Sequence, residues 1–157
     1  MFAIDTNLLI YAHNEDSEFH QGAVAFLERV MNEQDDDGNP TICFPTQVFT
    51  EFINVITRQT LRKPLSLDEA INVVYEYLDA EVQVLSHQET QLQTFLALLR
   101  TVTTRKKIFD VVLVATLKDH EIEGLYTVNT ADFEGFEWLT VINPLKDDKK
   151  ALLDLQA

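Results

Sequence analysis

Hydrophobic and polar positions recur with two different periods along the chain, and each change of period marks an element. Phe2–Asp5 is a short apolar run closed by an acid, which reads as a buried strand. Thr6–His13 then turns into a short helix. From Phe19 to Gln34 the apolar residues Phe19, Ala23, Phe26, Leu27, Val30 and Met31 recur at helical spacing. Residues 35–40 form a loop, with Gly38 and Pro40 as breakers. Thr41–Phe44 reads as a second strand. Thr46 is placed to cap a helix from Gln47 to about Leu61, which Pro64 brings to an end. Ser66 and Glu69 have the spacing of a capping box for a helix reaching about Leu78. Val82–Leu85 alternates as a third strand would. Glu89–Val102 is helical, with Leu92, Phe95, Leu96 and Leu99 on one face. Ile108–His120 is apolar nearly all round and predicts a central buried helix. Leu125–Val128 and Leu139–Ile142 supply two more strands, and Asn143-Pro144 closes the pattern.

Strands alternating with helices predict an α/β domain built on a mostly parallel sheet, with five strands by this count. The domain is expected to span residues 1–145, leaving 146–157 as a tail of Lys, Asp and Leu. No internal repeat or low-complexity tract interrupts it. In open parallel sheets, sites form beyond the carboxyl ends of strands. Asp5 stands at such an end, and Asp132 just past another.

Composition narrows the class. The chain has 157 residues, 46% of them hydrophobic, which suits one globular domain with a real core. No apolar stretch approaches the roughly 20 residues needed to cross a bilayer. Asp5 interrupts an opening segment that no basic region precedes, so neither a signal peptide nor a membrane partner is expected, and a cytoplasmic home is the default. Cys43 is the single cysteine, excludes an intrachain disulfide, and reads as a small core residue.

Twelve basic against 26 acidic residues give a formal charge of −14, which argues against loose, whole-surface binding of nucleic acid. A local basic rim remains open. Arg58, Arg62 and Lys63 form one cluster, and Arg105, Lys106 and Lys107 another. Each lies within a turn or two of an acid in sequence. Solvated loops and phosphate contacts are the two readings.

Four acids carry the chemistry. Asp5, Glu51, Asp110 and Asp132 each sit at the end or edge of a hydrophobic element. A carboxylate beside so much hydrocarbon loses hydration, at a cost of several kcal/mol, unless a partner neutralises it. Each acid has a bland reading too. Thr6 and Asn7 after Asp5 can cap a helix. Glu51 can pair with Arg58 or complement a helix dipole. Asp110 can cap its helix or pair with Lys106 or Lys107. Asp132 can be an ordinary turn residue. Together, a shared divalent cation is the simplest partner if the four converge.

Other chemistries lack their residues. There is no G-x-x-x-x-G-K-[ST], no G-x-G-x-x-G and no G-x-S-x-G. His13, His20, His87 and His120 show no zinc spacing and read as surface or cap residues. Phosphatases that form an aspartyl-phosphate need a second Asp where Asn7 stands.

Five segments carry a resemblance: FAIDTNLLIYA, TEFINVITR, FDVVLVATL, YTVNTADFEGF and VINPL, in that order across residues 1–145. They resemble the PIN-domain ribonucleases, most of all the VapC-type toxins of prokaryotic toxin–antitoxin pairs. The resemblance implies a five-stranded parallel sheet flanked by helices. It places the family's acidic set on Asp5, Glu51, Asp110 and Asp132, its small polar position on Thr6, and the asparagine of its last motif on Asn129. It implies a Mg²⁺- or Mn²⁺-dependent endoribonuclease that leaves 5′-phosphate and 3′-hydroxyl ends. Asp5 and Asp110 would touch the metal, with Glu51 and Asp132 acting more through water. It further implies an RNA substrate, a cognate antitoxin with a basic side chain for the acidic pocket, and a homodimer. The chain departs from the pattern in its strongly negative charge and in the segment TVTTRKKIFD. A catalytically silent RNA- or protein-binding module and a metal-dependent DNA nuclease are the alternatives.

Overall fold

The computed structural model describes residues 1–102 and 108–146. Its sheet has five strands: β1 (Phe2–Ile4), β2 (Ile42–Pro45), β3 (Val84–Leu85), β4 (Gly124–Tyr126) and β5 (Thr140–Ile142). All pair in parallel, in the order β3-β2-β1-β4-β5. The strands are near-continuous apolar runs because both faces of the sheet are covered. Among the described residues six helices cover them: α1 (Thr6–His13), α2 (His20–Met31), α3 (Thr46–Ile56), α4 (Leu67–Asp79), α5 (Gln91–Leu99) and α6 (Ile108–Asp119). α1 packs against α2 and α3, α3 against α4, and α5 against α6.

The chain enters at the middle of the sheet. It builds outward through β2 and β3, then returns to the other side of β1 for β4 and β5. The crevice where the strand order reverses therefore opens between the carboxyl ends of β1 and β4. Register fixes that edge. Phe2 lies beside Gly124 and Ile4 beside Tyr126, and the ladder runs on, with the Asp5 amide donating to the Tyr126 carbonyl at 3.0 Å. A side chain at Gly124 would meet the Phe2 ring at 2.6 Å, so this register needs glycine there. The Phe2 ring stacks on Tyr126 instead, centroids 4.6 Å apart.

Core residues come from every layer. Ile4, Phe44 and Leu125 are buried on the strands, and Leu8, Leu9, Phe52, Ile56, Val114 and Leu117 on the helices. Each such side chain contributes about 1.5–3 kcal/mol by leaving water. Cys43 is among them, its thiol pushed up to about 12 by burial, as befits an inert core residue.

The sequence-based elements are found, with trimmed ends. α3 stops at Ile56 and gives way to turns in which Arg58 and Leu61 donate to Val55 and Arg58 carbonyls. Its capping residue is Pro45, not Thr46, whose hydroxyl donates instead to the Leu85 carbonyl of β3. Ser66 does cap α4, accepting from the Glu69 amide. α5 is shorter than expected, and the face chosen for it is partly in solvent: Leu92 and Leu96 are exposed, while Leu98 is the buried residue. The tail beyond residue 146 lies outside the described residues.

Candidate active site

Asp5 follows the last residue of β1 and caps α1, so one carboxylate serves strand end and helix start together. It is only 8% exposed. Its Oδ1 accepts from the Thr6 amide at 2.7 Å and its Oδ2 from the Thr127 hydroxyl at 2.8 Å. Thr127 follows β4 and is fully buried. Its Oγ1 also receives the Asn7 amide at 3.0 Å and the Asn129 backbone N–H at 3.1 Å. With both lone pairs taken by N–H donors, its one hydrogen is left for Asp5. Asn7 completes a clamp, accepting the Val128 N–H at 3.3 Å on its Oδ1.

Glu51 lies in the second turn of α3 and faces the same edge. Its Oε2 accepts from the Thr6 hydroxyl at 2.9 Å and its Oε1 from the Gln47 amide at 2.9 Å. Among the described residues, no ion pair joins Glu51 to Arg58. The Gln47 amide donates also to the Phe109 carbonyl at 3.1 Å, one residue before Asp110. Gln47 thus ties α3 to the first turn of α6, where Asp110 sits. Its Oε1 is buried and finds no donor among the described residues, so the amide is held by its NH₂ group alone. Asp132 lies in a 3-10 turn, Thr130–Phe133, where its amide donates to the Asn129 carbonyl at 3.1 Å.

Burial pushes the Asp5 carboxyl above the usual range. The Thr127 and Thr6 hydrogen bonds pull it back, and the charges of Glu51 and Asp132 push it up again. Asp5, Glu51 and Asp132 are therefore electrostatic neighbours although they come from β1, α3 and the turn after β4. Among the described residues, no three acidic, histidine or cysteine side chains stand close enough to form a ready-made metal cage. The donor set nevertheless suits a hard divalent cation. It is all oxygen, its deepest member is buried, and its members repel one another.

The remaining expected residues fall in different places. Thr6 joins the site through both its amide and its hydroxyl. Asn129 contributes backbone groups, and its side chain makes no capping bond. Arg58, Arg62 and Lys63 are exposed in the segment after α3, whose end lies roughly 8 Å along the helix axis beyond Glu51. Arg105, Lys106 and Lys107 lie outside the described residues. Thr127 and Gln47 were not singled out from sequence. Thr127 could have been, since it is the polar residue directly after a strand that pairs with the strand of Asp5. Gln47 had only its place one turn before Glu51.

A central parallel sheet with an acidic crevice at its switch point is the architecture of the PIN domain, and the chain belongs to that family, which it matches over residues 2–137. It is 27% identical over 150 residues to ribonuclease VapC24 of Mycobacterium tuberculosis, covering 94% of this chain and 99% of that one. The fold is shared with the crystal structure of the Mycobacterium tuberculosis toxin VapC20, described as cleaving the sarcin–ricin loop. There the TM-score is 0.61 at 16% identity, over 84% of this chain and 92% of that one. It is shared also with VapBC2 of Rickettsia felis, solved on a DNA fragment from its promoter, with a TM-score of 0.59 at 13% identity over 90% and 97% of the two chains. No helix among the described residues is long and apolar enough to cross a membrane.

Proposed function

We propose that this chain is a cytoplasmic, divalent-metal-dependent endoribonuclease, the VapC-type toxin of a toxin–antitoxin pair. One observation carries the reading. Asp5 is buried at the switch point, held ready by two donors, and yet surrounded by like charge from Glu51 and Asp132. The likeness to VapC-named ribonucleases supports RNA as the substrate.

Mg²⁺ or Mn²⁺ would be held by Asp5 and Asp110, with Glu51 and Asp132 in support; when bound, it activates water and offsets charge building on the phosphate. The chain's own residues prepare that site. Thr127 and the Thr6 amide favour the ionised form of Asp5 against the cost of burial and fix where its oxygens point. The Thr6 hydroxyl and Gln47 hold both oxygens of Glu51. The Asn7 clamp locks β4 to α1, so the two sides of the crevice cannot drift apart. In-line attack would leave 5′-phosphate and 3′-hydroxyl ends.

The same reading includes a cognate antitoxin that presents a basic side chain to the acidic crevice. It includes a homodimer as well. Leu67, Ile71, Tyr75 and Leu78 are exposed along α4, an apolar ridge that a second copy would cover.

Purified protein incubated with single-stranded and structured RNA, in Mn²⁺ against EDTA, tests the activity. Cleavage only with metal, and its loss in Asp5→Asn, is the expected result. Unchanged cleavage by Asp5→Asn overturns the mechanism. Binding without cleavage would favour a silent module, and preference for a matched DNA strand would favour a DNA nuclease.

A further inference from the structure

Beside the acidic crevice lies a pocket of about 430 Å³, and Glu51 and Gln47 form part of its wall. The rest is Thr46, Thr50, Ser86, His87, Phe109 and Val112. Phe109 stands out, because it is 74% exposed while the apolar residues that follow it on the helix are half-buried or buried. An aromatic ring in water beside a carboxylate site calls for an occupant.

We propose that this pocket is a nucleobase subsite, in which an unstacked base of the RNA lies on the Phe109 ring next to the phosphate to be cut. The inference rests on the ribonuclease reading above and gives it a substrate form: a single strand or loop, where a base can be splayed out.

Three observations support it. The first is continuity. Gln47 bonds both Glu51 and the Phe109 carbonyl, so the aromatic residue and the catalytic edge are held in one frame. A base on Phe109 therefore sets where the next phosphate lies. The second is size and lining. The volume suits one small ligand. Ser86 and the exposed His87 ring border the apolar wall and can meet a base edge, while the Thr46 and Thr50 hydroxyls, which donate to the Leu85 and Thr46 carbonyls, can only accept from it. A protein segment would need a longer groove, since a stable protein contact buries roughly 800 Å² a side. The third is charge. At −14 the chain gains little from phosphate attraction, so stacking, which charge does not oppose, must carry more of the binding.

The test uses the full-length chain. Asp5→Asn, which should stall cleavage, is mixed with single-stranded RNA carrying the fluorescent base 2-aminopurine at successive positions. Stacking should quench the probe at one or two of them. Adding Phe109→Ala should abolish that quench and weaken binding about tenfold, and Phe109→Trp should restore both. With Asp5 intact and Mn²⁺ present, Phe109→Ala should lower kcat/KM about tenfold on the whole strand, and not on a strand that is abasic at the quenched position. Equal quenching and affinity with and without the ring overturn the proposal. So does a Phe109→Ala protein that binds and cuts RNA normally but loses its antitoxin, which would assign the pocket to protein recognition. Failure of the ribonuclease reading looks different. The unsubstituted protein then cuts no RNA, while the quench still reports whether the pocket takes a base.

Discussion

The two ends of α1 carry two titratable groups with opposite characters, a buried Asp5 and a half-buried His13. At its start, Asp5 is held by donors and beset by the like charges of Glu51 and Asp132. At its finish, roughly 12 Å away along the axis, His13 shares a 2.9 Å hydrogen bond with the Tyr77 hydroxyl and packs its ring edge-on to Phe52 and Tyr77. The helix dipole would favour a negative charge at the first end and a positive one at the second. Burial overrides it at both. It raises the Asp5 carboxyl and lowers the His13 ring, so each is pushed towards its neutral form. The difference lies in what each neutral form achieves. A neutral His13 with a protonated Tyr77 is complete, because burial lifts the tyrosine well above its usual range as well. A neutral Asp5 would leave two further acids in the crevice and weaken the two hydrogen bonds it accepts. One end is complete as it stands; the other is the end that, under the proposed function, a cation would complete.

Tyr77→Ala should produce the largest change, and only in stability. It removes a buried ring that also meets Phe44 and Phe49, and it strands His13. A loss of about 3–5 kcal/mol is expected in denaturant melts, with cleavage per folded molecule unchanged. If activity falls along with stability, the two ends of α1 are not independent.

Asp5→Asn should do the reverse. Cleavage should drop by a hundredfold or more, on the order of 3 kcal/mol at the barrier. The metal-free protein should melt within about 2–4 °C of the unsubstituted chain, because the loss of a buried charge among like charges is offset by an amide NH₂ that must face the Thr6 or Thr127 donor. Mg²⁺ should raise the melting temperature of the unsubstituted chain and not of the variant. A variant that is less stable than this without metal would show that Asp5 is a structural cap first.

Gln47→Leu should fall between these. It frees one Glu51 oxygen and cuts the tie to the first turn of α6. Residues that orient metal ligands typically matter by 10–100-fold, so a loss of about tenfold in kcat is expected with little change in melting. Gln47→Glu should be worse, since it adds a charge where the site already has too many.

How much of this could be seen in the chain follows from what carries information locally. The strands and helices follow from period, and Asp5 follows from an acid ending an apolar run. The three acids after it depend on which strand ends up beside which. The sheet order answers that, and no single segment encodes it. Thr127 and Gln47 are less visible still. Their contributions are hydrogen bonds to residues 122 and 4 positions away, and a threonine or glutamine looks the same in sequence whether it orients a carboxylate or faces water. Phe109 reads as one more apolar position in an apolar helix, yet it is the one turned outward. His13 was expected at the surface. It is half-buried instead, because Tyr77 of α4 and Phe52 of α3 meet its ring.

The smallest effect is the one that tests the comparison most directly, through pH. His13 has a folded value below its unfolded one, with Glu76 opposing the shift and His20 adding to it. Between those values the unfolded chain binds more protons, so stability rises with pH there. The contribution is complete above the ordinary histidine value and is lost as pH falls through the folded one. Asp5 runs the other way. Its folded value is raised, so its contribution is present below the ordinary aspartate value and is lost as pH rises through the folded one. Melting curves of the metal-free chain from about pH 4 to pH 8 should therefore contain two opposed slopes, each on the order of a few degrees. His13→Gln should remove the rise near neutrality and leave the acid-side slope, while Asp5→Asn should remove the acid-side slope and leave the rise. If both substitutions flatten the same part of the curve, the two ends of the helix titrate as one unit, and the contrast drawn between them fails.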